Sequence, residues 1–518
     1  TVLLRVCCMD ALTAAPPRGS ASPWPVTVAV MLGTLMVILD MTIVNVSLPH
    51  MMGSLGATSE QITWVLTSYI VAEAVMIPLS GYLANRFGRR NVILFSIIGF
   101  VISSGLCGQA ATLSQMVVFR ILQGIFGAPV IPLSQSTLLD TFPANERGKA
   151  MAIFGIGVLM APALGPTLGG YITEHWDWRW VFYINLPVGI VNILLCYAVL
   201  PDTEHRRDRI DLFGAFCMVL GIGALQYVLD QGNHENWFES DIIIYGTVLA
   251  IVTLTVFCIR AWTRSDSVLQ LNLLRDRNLA TASFLMMCFG LGLFGTIVLQ
   301  PILLQELLGY PSSTTGLIMA PRALCNAVTM AIVAPNIKRI GARTLVALGI
   351  FIMAGGSLMM SHYNLFISPW WAVVPGMIQG VGLGMVFVPL ATIAFDTIPE
   401  GTSDQGSTLF NLARTIGSSI GISLVTTVLS RNTQIQWNQL GGHLNPYNPA
   451  VHEFLASKGM NIDHPLAPYA LAAELGKQST MVAFVNDFWF ITVAMLALCP
   501  LVLLMRDSGK GLDLSAMH

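Results

Sequence analysis

The chain has 518 residues, of which 54% are hydrophobic and only 10% charged, far below the roughly 25% charged content of a soluble globular protein. Its 26 Lys and Arg against 28 Asp and Glu give a net charge of -2, which excludes the basic surface of a nucleic-acid binder. Runs of roughly 20 apolar residues recur along the whole length, each long enough to cross a bilayer as a helix, so the chain reads as an integral membrane protein.

Fourteen spans are expected, near 26–48, 62–82, 91–110, 115–138, 150–172, 179–200, 213–229, 242–263, 279–301, 315–336, 344–361, 370–393, 406–430 and 486–505. Lys and Arg crowd the connections at 83–91, 139–149, 201–212, 264–278 and 337–343. They are absent from 49–61, 111–114, 173–178, 230–241, 302–314 and 362–369. By the positive-inside rule the first set is cytoplasmic, and so are both termini. The connection 394–405 carries Asp396, Glu400 and Asp404 and is placed inside only by alternation. The segment 431–485 then falls outside; it is too short for a sizeable core of its own, and 468–478 within it reads as a short helix. Cys7 and Cys8 precede Met9 in a stretch that matches no lipidation motif.

A weak repeat runs through the chain. FRILQGIFGAP at 119–129 resembles PGMIQGVGLGM at 375–385, and the basic turn NRFGRR at 85–90 has an echo in KRIGAR at 338–343. The fourth span thus corresponds to the twelfth and the second to the tenth. The expected fold is all-α, with two pseudo-symmetric six-helix halves (26–200 and 279–505), two linking transmembrane helices in 201–278, and cytoplasmic tails at 1–25 and 506–518. Two related membrane halves with a site at their interface is a common transporter design.

Ionisable side chains inside a span are costly and are functional candidates by default. Asp40 lies roughly 20 Å from the cytoplasmic face at about 1.5 Å per residue, and Arg120 reaches the same level from the other side. The two are expected to pair directly or through water in a polar cavity, with Glu73 nearer the middle of the bilayer. The proton affinity of such a carboxylate depends on its solvation and on how close a guanidinium stands. Two readings follow: a proton-linked role for Asp40 or Glu73, or a permanent structural ion pair. The second half has Gly376 where the repeat places Arg120, and Gly292 or a neighbour where it places Asp40. That asymmetry favours function over scaffolding. Asn45, Gln123, Arg322, Gln379 and Arg414 are the candidates for a substrate cavity or the interface between halves. In span 5, Ala161, Gly165 and Gly169 offer a smooth face for close helix approach, and Pro162 and Pro166 are expected to bend it. The aromatic run WDWRWVFYIN at 176–185 reads as an interfacial belt. No nucleophile–base pair, metal-ligand spacing or Walker glycine loop occurs, so neither an enzyme nor direct ATP energisation is expected. No cofactor is called for; on the first of the two readings the coupling ion is the proton.

The stretches LDMTIVNVSLP (39–49), GYLANRFGRR (81–90), RILQG (120–124), GPTLGG (165–170) and WRWVFYINLPVG (178–189) resemble the signature motifs of the major facilitator superfamily. More narrowly, they resemble its fourteen-spanner drug:proton antiporters of the EmrB type. The likeness extends through IPLSQSTLL (131–139), DLFG (211–214), NPYNP (445–449) and NDFWF (486–490). It implies export of hydrophobic, often toxic compounds from a bacterial inner membrane, driven by inward proton flow. The implied partners are an EmrA-type periplasmic adaptor and a TolC-like outer-membrane channel. Asp40 matches the acid of the family's span 1 motif and Arg120 its span 4 arginine. Gly165, Pro166, Gly169 and Gly170 match the antiporter motif, and Gly81, Arg86, Gly88, Arg89 and Arg90 match the cytoplasmic gating loop. Asn85 departs from the family's usual Asp, which puts a charge-based gate at that turn in doubt. The alternatives are export of an endogenous metabolite or siderophore, and a membrane sensor or scaffold that transports nothing.

Overall fold

A computed structural model describes residues 23–143, 146–201, 211–264, 267–399 and 402–505. The described residues form helices and short connections, with no strand among them. In hydrocarbon each backbone polar group has to be bonded within its own segment, which the helix achieves. The first half comprises α1 (Pro23–Leu55), α2 (Trp64–Phe87), α3 (Arg89–Gln109), α4 (Leu113–Gly127), α5 (Val130–Thr141), α6 (Arg147–His175) and α7 (Asn185–Val199). Two linking helices follow, α8 (Leu212–Gln231) and α9 (Asp241–Thr263). The second half comprises α10 (Arg277–Ile302), α11 (Ser312–Ile340), α12 (Ala342–Met360), α13 (Pro369–Asp396), α14 (Ser403–Gly441), α15 (Pro449–Ser457) and α16 (Ala467–Leu498).

Among the described residues, 13 helical stretches are long and apolar enough to cross a membrane, and each coincides with an expected span. The expected fifth span falls on α6, a helix of 29 residues that is not one of the 13. The fourth is made in two pieces, because the chain breaks between Gly127 and Val130 at Pro129, which has no amide to donate. Cys7, Cys8, Glu400, the arginines of 202–210 and nearly all of both tails lie outside the described residues.

The halves meet chiefly along two helix pairs, α2 with α14 and α6 with α11, flanked by α5 with α14 and α6 with α13. These pairs exchange places under the correspondence read from the sequence, so the contact has the repeat's own two-fold relation. Backbone geometry carries the same signature. Gly88 and Gly341 cap their turns at φ 83° and 89°, a region that favours glycine. Arg90 donates to the Tyr197 carbonyl near the end of α7, the last helix of its half, at 2.7 Å. Arg343 donates to the Met505 carbonyl, past the end of α16, the last helix of the second half. Gly124 lets α4 approach α2 so closely that a Cβ there would lie 2.5 Å from the Tyr69 carbonyl. At Gly380, the matching position of α13, a Cβ would lie 2.2 Å from the Arg322 carbonyl of α11.

The linking helices stand outside this frame, α8 against α2 and α14 and α9 against α8. The start of α8 is pinned to the end of α9 by Asp211, which accepts from Arg260 Nη2 at 2.7 Å and Nε at 2.9 Å. At the opposite end of the bundle, two expectations are corrected. The 468–478 segment is not a separate short helix but the first part of α16, 32 residues long. Likewise α14 runs on for 39 residues, roughly 58 Å at about 1.5 Å per residue, nearly twice a hydrocarbon core of about 30 Å. The 431–485 segment is therefore a helical projection continuous with two spans, closed by a small cluster of Val451, Leu455 and Ala467.

Candidate functional site

Asp40, on α1, is 0% exposed. Its Oδ2 accepts from Arg120 Nη1 at 2.7 Å, and its Oδ1 accepts from Gln123 Nε2 at 2.9 Å and Asn185 Nδ2 at 2.7 Å. Arg120 is equally buried. It donates from Nε to the Val65 carbonyl at 3.0 Å and from Nη1 to Gln123 Oε1 at 2.8 Å, and its guanidinium lies 4.2 Å from the centre of the Tyr69 ring. Behind them, Asn185 also donates to Ser104 Oγ at 3.0 Å. A buried ion pair is tolerable only when its remaining donors and acceptors are matched, and four helices of the first half supply the matches. The pairing is direct, and both side chains are fully buried.

The aromatic run at 176–185 is thus only partly a belt. Trp176 and Trp180 are exposed, while Trp178 and Phe182 are buried and Asn185 reaches the carboxylate. Nothing in the sequence marks Asn185 as special, since a neutral amide inside an aromatic run gives no charge signal.

The second half repeats the architecture without the carboxylate. Nineteen residues before Gly88 stands Tyr69, and nineteen before Gly341 stands Arg322; fifteen before, the residues are Glu73 and Asn326. Arg322 therefore occupies the tyrosine's place and points beside Gly376, where the repeat lacks its arginine. Its Nη2 donates to Thr296 Oγ1 at 3.2 Å, while Nη1 has no partner among the described residues. Gln379 donates to Ser357 at 2.8 Å, and Ser357 stands where Ser104 stands in the first half. Glu73 is buried, and its principal charged neighbours are Arg414, facing it across the α2–α14 contact, and Arg120. Asn45 is exposed, five residues beyond Asp40 on α1. The Gly292 position falls among side chains outside the described set.

In α6, a Cβ at Gly165 would lie 2.0 Å from Thr42 Oγ1, and one at Gly169 would lie 2.9 Å from the Ile43 carbonyl. These glycines press α6 against α1, with Gly170 buried beside them. The helix runs unbroken through Pro162; the side chain of Pro166 lies outside the described residues. Nearer its start, Gly148 and Gly155 touch α11 and α13 instead, at the Ala334 carbonyl and at Phe387.

At the arginine-rich end the halves are latched. Arg89 bonds Asp140 at 2.6 Å within its own half and Asp404 at 2.8 Å across to the other. Ser136 donates to Asp404, Ser403 donates to Asp140 at 2.7 Å, and the hydroxyls of Ser80 and Thr408 meet at 3.1 Å. A Cβ at Gly81 would sit 3.0 Å from Thr408 Oγ1, so glycine there sets the separation of α2 and α14. Gly88 turns the chain so that Arg89 faces the latch and Arg90 turns to Tyr197. Arg86 lies outside the latch and donates to Tyr82, and Asn85 takes no part in it. The acidic connection 394–405, uninformative in the sequence, supplies the cross-half carboxylate and stands at the basic end. Ion pairs join the halves at this end without an acid at position 85.

A family model described as Major Facilitator Superfamily matches residues 30–422. This chain belongs to the Major Facilitator Superfamily. It is 35% identical over 484 residues to the multidrug export protein EmrB of Escherichia coli K12, covering 92% of this chain and 94% of that one. It is 34% identical over 504 residues to the fatty acid resistance protein FarB of Neisseria gonorrhoeae, covering 96% and 99%. Among solved structures, the proton:xylose symporter XylE superposes with a TM-score of 0.58 at 14% identity, over 92% of this chain and 96% of that one. The human organic anion transporter MFSD10 gives a TM-score of 0.58 at 15% identity, over 92% and 100%.

In this facilitator the candidate residues fall into three groups rather than one cavity. Asp40, Arg120 and Gln123 form a sealed cluster in the first half. Glu73 and Arg414 face each other across the interface. Arg322 and Gln379 form an under-bonded cluster in the second half. None of the expected cavity residues lines the cavity of about 940 Å³ beside α8.

Proposed function

We propose that this chain is a proton-driven antiporter that exports hydrophobic toxic compounds across a bacterial inner membrane by alternating access, with both termini cytoplasmic. The observation that carries the reading is the Asp40 cluster. A carboxylate held by a guanidinium and two amides, shut away from solvent, cannot change its protonation without rearranging its partners. Protonating Asp40 would remove the counter-charge of Arg120 and leave a buried cation uncompensated, which costs about 3–5 kcal/mol. Arg120 would then have to move, and it stacks on Tyr69 of α2, the helix that carries Glu73 and meets the other half. A proton entering at Asp40 thus has a physical route to the interface. One charge crossing the membrane gains roughly 2.3 kcal/mol per 100 mV, enough to support a modest drug gradient.

The names of the relatives supply the substrate class. The projection formed by α14, α15 and α16 gives a periplasmic adaptor a surface to grip, which supports a tripartite assembly of the EmrA and TolC type. The two halves, 26–200 and 279–505, are the rocking bodies. Asp40→Asn is expected to abolish drug resistance in cells while the protein reaches the membrane at normal level. Unchanged resistance would end the proposal. Substrate-induced proton movement in proteoliposomes separates transport from a sensor or scaffold role, which would give none.

A further inference from the structure

A cavity of about 940 Å³ lies between linking helix α8, Ile70 of α2 and the second half, and none of the Asp40 cluster lines it. Its wall mixes apolar side chains such as Ile302 and Leu429 with oxygen-bearing ones such as Ser423 and Thr480. Asp230 and Glu306 add carboxylates, and among the described residues no Lys or Arg lines it. The volume is that of a site for a drug-sized ligand. Glu306 sits in a turn of π-helix, Leu303–Leu307, a local widening that recurs at functional sites.

One further group bears on this cavity. Gly476, Thr480 and Phe484 of α16 line it. At 3.6 residues per turn, Asp487 projects in a direction between those of Gly476 and Thr480, about one turn beyond Phe484. The antiparallel packing of α14 and α16 fixes its depth. Leu475 meets Gly441, and Ile491 and Val425 both meet Gly295, so Asp487 stands level with Thr426–Ser430 in the cavity wall. It is 0% exposed, and neither carboxylate oxygen has a hydrogen-bond partner among the described residues. Ser423 Oγ, in the facing wall, is unpartnered as well. An intramembrane acid with no donor and no counter-charge is costly to keep unless a ligand completes it.

We propose that this cavity binds a lipophilic organic cation, with Asp487 as the counter-charge behind a movable Phe484 ring. The apolar wall takes the cation's hydrocarbon, the Phe484 face attracts its charge, and the acids add to that attraction in a wall whose basic side chain is His234, with no Lys or Arg among the described lining residues. The proposal names one substrate class for the export function above and places it apart from the Asp40 cluster.

The test is binding of tetraphenylphosphonium to the purified full-length protein in lipid nanodiscs, against the neutral triphenylphosphine oxide. Asp487→Asn is expected to weaken tetraphenylphosphonium by at least about tenfold, roughly 1.4 kcal/mol, and to leave the neutral compound unchanged. Thr480→Trp, which fills the cavity while keeping the acid, is expected to weaken both, and it decides the matter if Asp487→Asn does not fold. Wild-type affinity for the cation in either folded variant, or equal loss of the two compounds in Asp487→Asn, overturns the site. Binding is read without a proton gradient, so an Asp40→Asn protein that fails to export but still binds the cation separates failure of this site from failure of the antiport reading.

Discussion

Asp40 is tolerated in the first helix because Arg120, Gln123 and Asn185 surround it with donors, and the least conspicuous of these, Asn185, gives a sharp test. Asn185→Leu keeps the ion pair but removes one bond to Oδ1 and one to Ser104. It is expected to destabilise the purified protein by about 1–3 kcal/mol, read as a lowered Tm, and to reduce drug efflux. A Tm and efflux equal to wild type would mean that the amide does not hold the carboxylate. A second test concerns close helix approach. Gly380→Ala would thrust a Cβ to 2.2 Å from the Arg322 carbonyl, forcing α13 from α11 at about 1–3 kcal/mol, again visible in Tm. At this scale the sequence was legible where a residue carried charge against an apolar background, as Asp40, Glu73 and Arg120 do. It was opaque where the partner was neutral, as with Asn185 and Ser104, or where a pair is made between distant connections, as with Arg89 and Asp404. A charge announces itself; its partner's position depends on how the helices come together.

The helices themselves were legible because hydropathy reports which solvent a segment meets, and thirteen stretches met that criterion. Their ends were less so, because a helix does not stop where the bilayer does: α14 and α16 carry their hydrogen bonds on into water, and hydropathy is silent there. The break at Pro129 was hidden for the opposite reason, since apolar sequence continues across it. The linking pair α8 and α9 offers a test at this level. Asp211, just before α8, is held below the usual carboxylate range by its hydrogen bonds from Arg260, against the opposing effect of burial, with help from the Gly214 amide and the charges of Arg260 and Arg264. A carboxyl lowered on folding stabilises the fold above its unfolded value, about 3.9, and that contribution is lost as pH falls through the lower folded value. Hydrogen exchange at the start of α8 and the end of α9 is therefore expected to be steady from neutral pH to about pH 5 and to loosen below about pH 4, after correction for the intrinsic exchange rate. Asp211→Asn is expected to show the looser exchange at every pH; identical profiles for the two proteins would remove the pair's role as a pin.

For the whole molecule, the distribution of contacts between the halves defines the state. The Arg89, Asp140 and Asp404 latch, the Ser80–Thr408 pair and the Gly148 and Gly155 contacts of α6 all lie towards one end, where α2 meets α14 and α6 meets α11. Farther along, Gly165 and Gly169 fasten α6 to α1 of its own half instead. The α6 helix thus holds the second half only towards its basic end, at Gly148 and Gly155, while Gly157, Gly165 and Gly169 hold it to α1 of its own half farther along. A body built this way can swing about the middle of the interface, where Glu73 and Arg414 face each other, without remaking its internal packing. Arg89 joins carboxylates from both halves, and its removal leaves Asp140 and Asp404 to repel each other. Arg89→Ala is therefore expected to bias the protein towards opening at the basic end. With Ser80→Cys and Thr408→Cys introduced together, mild oxidation should cross-link the two positions efficiently when Arg89 is present. In Arg89→Ala the yield of the peptide joining 80 to 408 should fall several-fold, and addition of an exported compound should change it further if substrate selects between the two states. An unchanged yield would show that the hydroxyl and glycine contacts close that end without the salt bridges, and would make the latch a consequence of closure rather than its cause.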